Sequence, residues 1–480
     1  MKIKQLFKGF EVEIRGSKEV EITGISTDSR TTSPGHLFIA KKGTRLDGAQ
    51  FIERAVGAGS PAILTDLYDP FLKVTQMISS NPAALEARLA ARFYQEPSKE
   101  LFVAGVTGTK GKTTTTYLIK HLLDGLKLPC GLIGTVETII GESRIDSTLT
   151  THPAALNQKL LREMVTKGCR AAALEVSSHG LVQGRVEEVK FDIAVFTNLH
   201  PDHLDYHKTV EEYAAAKKRL FCQAPISIFN ADSPWSDYMA KGVARKKTFG
   251  IETAADLQAK NIRFTRNSTE LDLLYQGRRV PAQFLLLGRF NVYNFLAAAL
   301  VGVERGAKLE EILSILSTFK AVPGRLEEVK NGRGISLFVD YAHTGESLEN
   351  VLKTLKEIAE RRLIVVFGCG GGRDPRRRVE MARSAEKWAD LSIVTSDNPR
   401  NEDPNEIARQ ILSGFEDPGK ASLELERKKA IAMAIRLAQP QDIVLIAGKG
   451  HEKVQIFAHQ TVHFDDVEAA KEALAISGPF

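Results

Sequence analysis

Cysteine is scarce and scattered. Four occur, at 130, 169, 222 and 369, and no two form a C-x-x-C pair, which excludes a disulfide framework or zinc ribbon and suits a reducing compartment. Aromatic residues do not interleave with a basic stripe, so the chain lacks a stacking platform for nucleic acid. No apolar run approaches the length of a bilayer span. The opening MKIKQLFKGFEVEI has a charged, broken pattern unlike a secretory signal, and a cytoplasmic location is expected. Charge of one sign is in short supply too: 65 Lys and Arg against 59 Asp and Glu leave +6, enough to steer a small polyanionic substrate but no argument for a nucleic-acid partner.

The most informative stretch is LFVAGVTGTKGKTTTT, residues 101–116. An apolar strand breaks into a turn containing Gly105, Gly108 and Gly111, and Lys112 then opens a helix. Backbone N–H groups at such a turn converge on one anion, and glycine permits its close approach. Lys112 is placed to reach the β and γ phosphates, and the Thr113 hydroxyl to ligate Mg²⁺. The spacing G-x-x-x-x-G-K-T would put its first glycine at 106, which is Val106, so the loop is a variant. An ordinary strand, turn and helix is the plain alternative.

At 480 residues the chain is too long for one core, and three domains are expected: 1–97, 98–324 and 325–480. The first alternates short strands with turns, contains a helix signal at Asn81-Pro82, and ends in a linker, Glu96-Pro97-Ser98. Its cluster Thr27-Asp28-Ser29-Arg30 reads as a turn. The middle part alternates strand and helix, as a parallel α/β domain requires. A strand ending at Glu175 places a carboxylate beside the phosphate loop, for Mg²⁺ or paired with a nearby lysine or arginine. In NLHPDHLDYH, His203 and His207 stand four apart and could share a helical face, but Leu204 replaces the Glu of H-E-x-x-H, so one histidine on Mg²⁺, or both simply hydrogen-bonded, fits better than zinc. Lys217 follows on a helix whose bland reading is a solvated basic face. Asn291 suits either an adenine edge or an N-cap.

Alternation restarts at 326 and predicts a second, doubly wound sheet with helices from Ser347, Val379 and Pro404. Its strand ends carry DYAH, GCGGGRD, DNPR and GKGHE. A dinucleotide fingerprint fails because Arg373 stands where the third glycine should be. Arginines at 373 and 400 suit a carboxylate-bearing substrate.

Together GVTGTKGKTTT, LEVSSHGL, NLHPDHLDYH, FNVYN, PGR, DYAHT, GCGGGRD, DNPR and GKGHE resemble the Mur ligases of peptidoglycan synthesis, in that family's order from Asp28 to Glu452. The resemblance implies a small N-terminal α/β domain for a UDP moiety, a central P-loop-type ATPase domain with a parallel sheet, and a C-terminal Rossmann-like domain for an amino acid. It also implies an ATP- and Mg²⁺-dependent amide ligase that adds meso-2,6-diaminopimelate to UDP-N-acetylmuramoyl-L-alanyl-D-glutamate through an acyl phosphate, acting as a cytoplasmic monomer.

By the same resemblance Gly108, Thr109, Lys110, Gly111, Lys112 and Thr113 hold the ATP phosphates, and Asn291, Arg325 and Asp340 complete the nucleotide site. Thr113, Glu175, His203 and a carbamylated Lys217 serve the metal, and Lys112, Glu175, His203 and Lys217 are the catalytic set. Ser29, Thr150, Thr151, Ser177, Gln183 and Arg185 match positions for the UDP-muramoyl dipeptide. Arg373, Asp397, Asn398, Pro399, Arg400, Gly448 and Glu452 match positions for diaminopimelate. The form DNPR goes with diaminopimelate rather than lysine, because lysine has no far carboxylate for an arginine to bind. Lys110 departs from the asparagine usual at its position, and His152 intrudes after the threonine pair. The rivals are L-lysine as acceptor, a folylpolyglutamate-type ligase, which would not be expected to carry TDSR, DNPR or GKGHE, and a nucleotide-driven switch or motor.

Overall fold

The computed structural model describes residues 1–43 and 46–477. The chain divides into two compact units, Met1–Gln258 with Asn294–Ile315, and Ala259–Tyr293 with Leu316–Phe480.

In the first unit a five-stranded sheet runs in the order Glu13–Arg15, Thr75–Ile78, Ala62–Thr65, His36–Ile39, Gly24–Ser26, parallel except at its first pair. The helix signal at Asn81-Pro82 is realised as Pro82–Phe93, with the Asn81 side chain accepting from Ala84 N at 3.2 Å. Glu86 on this helix is buried. It pairs with Lys41 and accepts from Ala155 N at 3.1 Å, supplying an acceptor at the start of helix Ala154–Thr166, whose own cap residue Pro153 has none. Glu96-Pro97-Ser98 is not an open linker: Pro97 and Ser98 are buried in a short 3₁₀ turn, and Ser98 Oγ accepts from Lys190 N at 3.0 Å.

The second sheet of this unit has Phe102–Thr107 at its centre, parallel to Ile193–Phe196 on one side and Ala171–Glu175 on the other. Register pairs Glu175 with Val106 and Phe196 with Thr107, so the phosphate loop, Glu175 and Thr197 all leave the same carboxyl edge. Ligands gather at such an edge because the chain departs there in opposite directions.

The second unit contains a six-stranded sheet in the order Glu327–Glu328, Ser336–Asp340, Ile443–Ala447, Leu363–Phe367, Leu391–Val394, Ala421–Leu423, parallel but for its first pair. The fully apolar strand 363–367 explains the doubly wound form. Leu363, Val365 and Phe367 pack on helices Gly345–Ile358, Arg376–Trp388 and Pro404–Leu412, whereas Ile364 and Val366 pack on Arg427–Leu437 and Asp466–Ser477. Two of the expected helices start early. Thr344 forms a capping box with Ser347 and sets the start at Gly345, and the helix read from Val379 begins at Arg376. Helices Arg427–Leu437 and Asp466–Ser477 were not expected. They are joined by a fully buried ion pair, Arg427 Nε to Asp466 Oδ1 at 2.7 Å, and Arg427 Nη2 also reaches Ala447 O at 2.9 Å. Removing one partner of such a pair costs about 3–5 kcal/mol, since the other charge is left in the core. Among the described residues no helix is long and apolar enough to cross a membrane.

Candidate active site

The phosphate loop is built as its glycines require. Gly108 has φ +152°, and a Cβ there would lie 1.9 Å from Thr197 Oγ1; Gly111, at φ +85°, precedes helix Lys112–Gly125. The loop is pinned by the strand next door. Thr109 N donates to Asn198 O (3.0 Å), Lys110 N to Asn198 Oδ1 (2.9 Å), and Thr197 Oγ1 to Lys110 O (2.6 Å). The departure at Lys110 therefore leaves the loop's backbone anchored. Its charge acts on Asp202: burial pushes that carboxyl up, but His203, Lys110 and Lys112 outweigh it and hold the group below its ordinary range.

Lys112 folds back over the loop, donating to Gly108 O at 2.8 Å and Thr109 O at 3.0 Å. Among the described residues Glu175 pairs with no lysine or arginine. It accepts from Thr113 Oγ1 (3.0 Å), Thr135 N (2.8 Å) and Thr135 Oγ1 (2.9 Å), all neutral donors, while its carboxylate is buried. A buried carboxylate with only neutral donors favours a cation close by.

Lys217 is no part of a solvated face. It is 1% exposed, its Nζ donates to Gly108 O at 2.9 Å and lies 4.5 Å from the centre of the Tyr213 ring. Burial, then the Lys112 ammonium, push its pKa well below the usual lysine value against the opposing pull of Asp202. His203 and His207 do not share a helical face either. His203 caps the short helix Leu204–His207 in a left-handed conformation, φ +55°, and His207 turns to Ser178 Oγ at 2.9 Å. Burial lowers the His203 pKa, with Asp202 opposing and Lys112 and Lys217 reinforcing. Among the described residues no group of three or more His, Cys, Asp and Glu is set to hold a metal.

Most of the expected UDP-substrate residues come together. Thr151 Oγ1 donates to Glu175 O (2.9 Å) and accepts from Ser177 N (2.9 Å), Arg185 Nη1 donates to Thr151 O (2.6 Å), and Arg185 Nη2 donates to Gln183 Oε1 (2.7 Å). Thr150 Oγ1 lies 3.0 Å from Thr135 Oγ1, whose proton goes to the Glu175 carboxylate, and this joins the group to Glu175. Beside them His179 stacks on Tyr206 with centroids 4.2 Å apart, and burial with the neighbouring His203 and His207 brings its pKa to about 4. Ser29 stays outside this network; it is buried in the N-terminal turn beside the Asp28–Arg30 ion pair. His152 is buried and meets Thr138 Oγ1 at 3.4 Å.

In the second unit the strand-end loops also converge. Asn398 Nδ2 donates to Glu452 Oε2 (2.8 Å), Arg400 Nη1 donates to Gly371 O (2.6 Å), and Arg400 N donates to Ile456 O (3.0 Å) with Arg400 at φ +54°. Arg373 is exposed on the loop that follows. The Pro399 carbonyl packs so tightly on Gly371 that a Cβ there would sit 2.0 Å away, and the buried Asp397 carboxylate faces Gly448, whose φ is +117°. Asp340 accepts from Leu326 N (2.7 Å) and Ala342 N (2.8 Å), and the Arg325 guanidinium lies 4.6 Å from the centre of the Tyr341 ring. Asn291 is not an N-cap; it lies inside helix Arg289–Glu304 and donates to Leu287 O at 2.8 Å.

Sequence reasoning passed over Thr135, Thr197, Asp202, Arg427 and Lys449. Thr197 and Asn198 carried a usable signal, as polar residues at the end of the strand beside the loop; Lys449 sits inside the GKGHE strand end without being singled out, and Arg427 sits in a charged run that reads as surface.

The same order of parts recurs in known proteins. The Mur ligase family, catalytic domain, matches residues 21–95, the Mur ligase middle domain residues 106–302, and the Mur ligase, glutamate ligase domain residues 324–450. A protein of Chlamydia caviae named UDP-N-acetylmuramoyl-L-alanyl-D-glutamate--2,6-diaminopimelate ligase is 44% identical over 483 residues, with 99% of each chain covered. One of the same name from Caldanaerobacter subterraneus subsp. tengcongensis is 40% identical, over 99% of this chain and all of the relative (100%). A solved structure of a ligase of that name superposes with a TM-score of 0.70 at 32% identity, covering 99% of both chains. Three Mur ligase domain models thus match in succession, with relatives alike over nearly the whole length, and the chain belongs to the Mur ligase family.

Proposed function

We propose that this Mur ligase joins an amine of meso-2,6-diaminopimelate to the D-glutamyl carboxylate of UDP-N-acetylmuramoyl-L-alanyl-D-glutamate, driven by ATP, as a cytoplasmic monomer making peptidoglycan precursor. Full-length relatives at 40–44% identity are named UDP-N-acetylmuramoyl-L-alanyl-D-glutamate--2,6-diaminopimelate ligase. The observation that carries the acceptor assignment is the Asn398–Glu452 bond, with the Arg400 guanidinium two residues on anchored to Gly371 O of the neighbouring strand-end loop. The far end of diaminopimelate has a carboxylate and an ammonium, which match an arginine and a glutamate; lysine offers only the ammonium and would leave Arg400 unmatched.

In this reading residues 1–97 with Ser29 receive the UDP moiety, 98–324 hold ATP, and 325–480 hold the amino acid. The D-glutamyl carboxylate attacks the γ-phosphorus and ADP leaves. The neutral amine then attacks the acyl phosphate carbon, loses a proton, and phosphate departs as the amide forms. Such chemistry asks mainly for positioning and charge neutralisation. Gly108 to Thr113 cradle the phosphates with Lys112 on the terminal groups, Asn291, Arg325 and Asp340 hold the rest of the nucleotide, and Thr150, Thr151, Ser177, Gln183 and Arg185 orient the dipeptide. The buried Glu175 carboxylate, met only by neutral donors, fits a divalent cation together with Thr113, His203 and a carbamylated Lys217. Mg²⁺ bound there would neutralise phosphate oxygens. A neutral, buried Lys217 amine is the form that can take up CO₂.

A mass-resolved assay with diaminopimelate and lysine side by side tests the reading. Phosphate release is expected only when both dipeptide and diaminopimelate are present. Release without either, or a preference for lysine, overturns it.

A further inference from the structure

Lys449 lies in the GKGHE loop, and its ammonium is fully buried (0% exposed). It donates to Asn398 Oδ1 at 3.1 Å and to Glu452 Oε2 at 3.1 Å. Asn398 Oδ1 takes a second donor, Ile456 N, at 3.0 Å. With two donors on one side, the oxygen of that amide must face Lys449, and its nitrogen must face Glu452, to which it donates at 2.8 Å. Glu452 is thereby held by one oxygen from two donors. Its other oxygen, Oε1, has no hydrogen bond among the described residues, and the side chain is 30% exposed.

Arg427 is ion-paired with Asp466 and donates to Ala447 O, with its Nη1 buried and unpartnered among the described residues, so that Asp397 and Glu452 are the remaining carboxylates near Lys449.

Resting on the acceptor assignment above, we propose that Lys449 is the positioning residue of the amino-acid site: by fixing the Asn398 amide and one oxygen of Glu452, it leaves Glu452 Oε1 and the second amide hydrogen of Asn398 for the far ammonium and carboxylate of the acceptor. Without Lys449 the Asn398 oxygen keeps only its Ile456 N donor and Glu452 loses its charged partner, so both are held less firmly and acceptor recognition suffers while nucleotide binding does not.

The test is steady-state kinetics on the full chain. In Lys449→Met the KM for diaminopimelate is expected to rise on the order of 10- to 100-fold, with the KM values for ATP and the muramoyl dipeptide within about twofold of wild type. Glu452→Gln should give a similar rise, and the double variant no more than the larger single effect, because both act on one contact. Lys449→Arg, which keeps the cation, should lose less than Lys449→Met. Binding of diaminopimelate, read by calorimetry or thermal shift without turnover, should weaken in parallel. An unchanged acceptor KM in Lys449→Met, an equal rise in all three KM values, or additive losses in the double variant would overturn the proposal. Should Lys449→Met not fold, Lys449→Arg decides, since a selective acceptor KM change is expected there and a uniform one refutes it. A wild-type enzyme that ignores diaminopimelate refutes the acceptor assignment instead, and the same comparison is then made with the amino acid it does use.

Discussion

Two lysines are buried almost completely, and they sit in opposite electrostatic company. Lys217 touches the Gly108 carbonyl and the Tyr213 ring, has the Lys112 ammonium as neighbour, and makes no ion pair among the described residues. Lys449 touches the Glu452 carboxylate and the Asn398 oxygen. Equal burial thus supports opposite uses. An amine beside another cation is pushed toward its neutral, nucleophilic form, whereas one beside a carboxylate serves as a fixed charge.

The largest test of that contrast is Lys217→Ala. Turnover is expected to fall on the order of 10²- to 10³-fold, and formate or acetate should restore part of it if a carbamate oxygen is what was lost. Full activity in this variant would erase the difference between the two lysines.

On the acceptor side, Arg400→Ala is expected to raise the KM for diaminopimelate by roughly 10- to 100-fold and that for ATP hardly at all, the loss of one or two charge-assisted hydrogen bonds. A matching rise for ATP would mean that the two regions are not separable.

Gly108→Ala should weaken ATP binding and cost about 1–3 kcal/mol of stability, because its Cβ meets Thr197 Oγ1 and displaces the carbonyl that receives both Lys112 and Lys217. Titration calorimetry and a melting curve check both parts.

The smallest effect is the sharpest in sign. Lys217 has its folded pKa lowered, so below the unfolded value near 10.5 the unfolded chain binds the extra proton. That linkage makes wild type gain stability relative to Lys217→Met as pH rises toward 10.5, and lose it as pH falls. Melting temperatures in CO₂-free buffer should diverge by a few degrees, roughly, between the two ends of that range. A flat difference would show that Lys217 is charged in the folded state.

What could be read from residues alone follows a physical divide. The strand, glycines and Lys112 helix are a local grammar, and they fold where the spacing puts them. So do the strands of the second sheet, since an unbroken apolar run such as 363–367 has few alternatives. Lys217 was not legible, because AAAKK has the look of a wet helix face and its burial depends on Gly108, 109 residues away in sequence. Arg427 was hidden for the same reason: ERKK reads as surface, and its partner Asp466 comes 39 residues later. The helical face that His203 and His207 could have shared is lost over one backbone angle, since a left-handed cap takes His203 out of the helix.

The pair between Arg427 and Asp466 sets an order of events during synthesis. The strand end that carries Gly448 is tied through Ala447 O to a guanidinium that lacks its ion-pair partner until residue 466 has left the ribosome. The nucleotide-binding loop can mature while translation is still under way, whereas the amino-acid pocket is among the last parts to set, so a nascent or truncated chain could take up ATP well before it could accept a nucleophile.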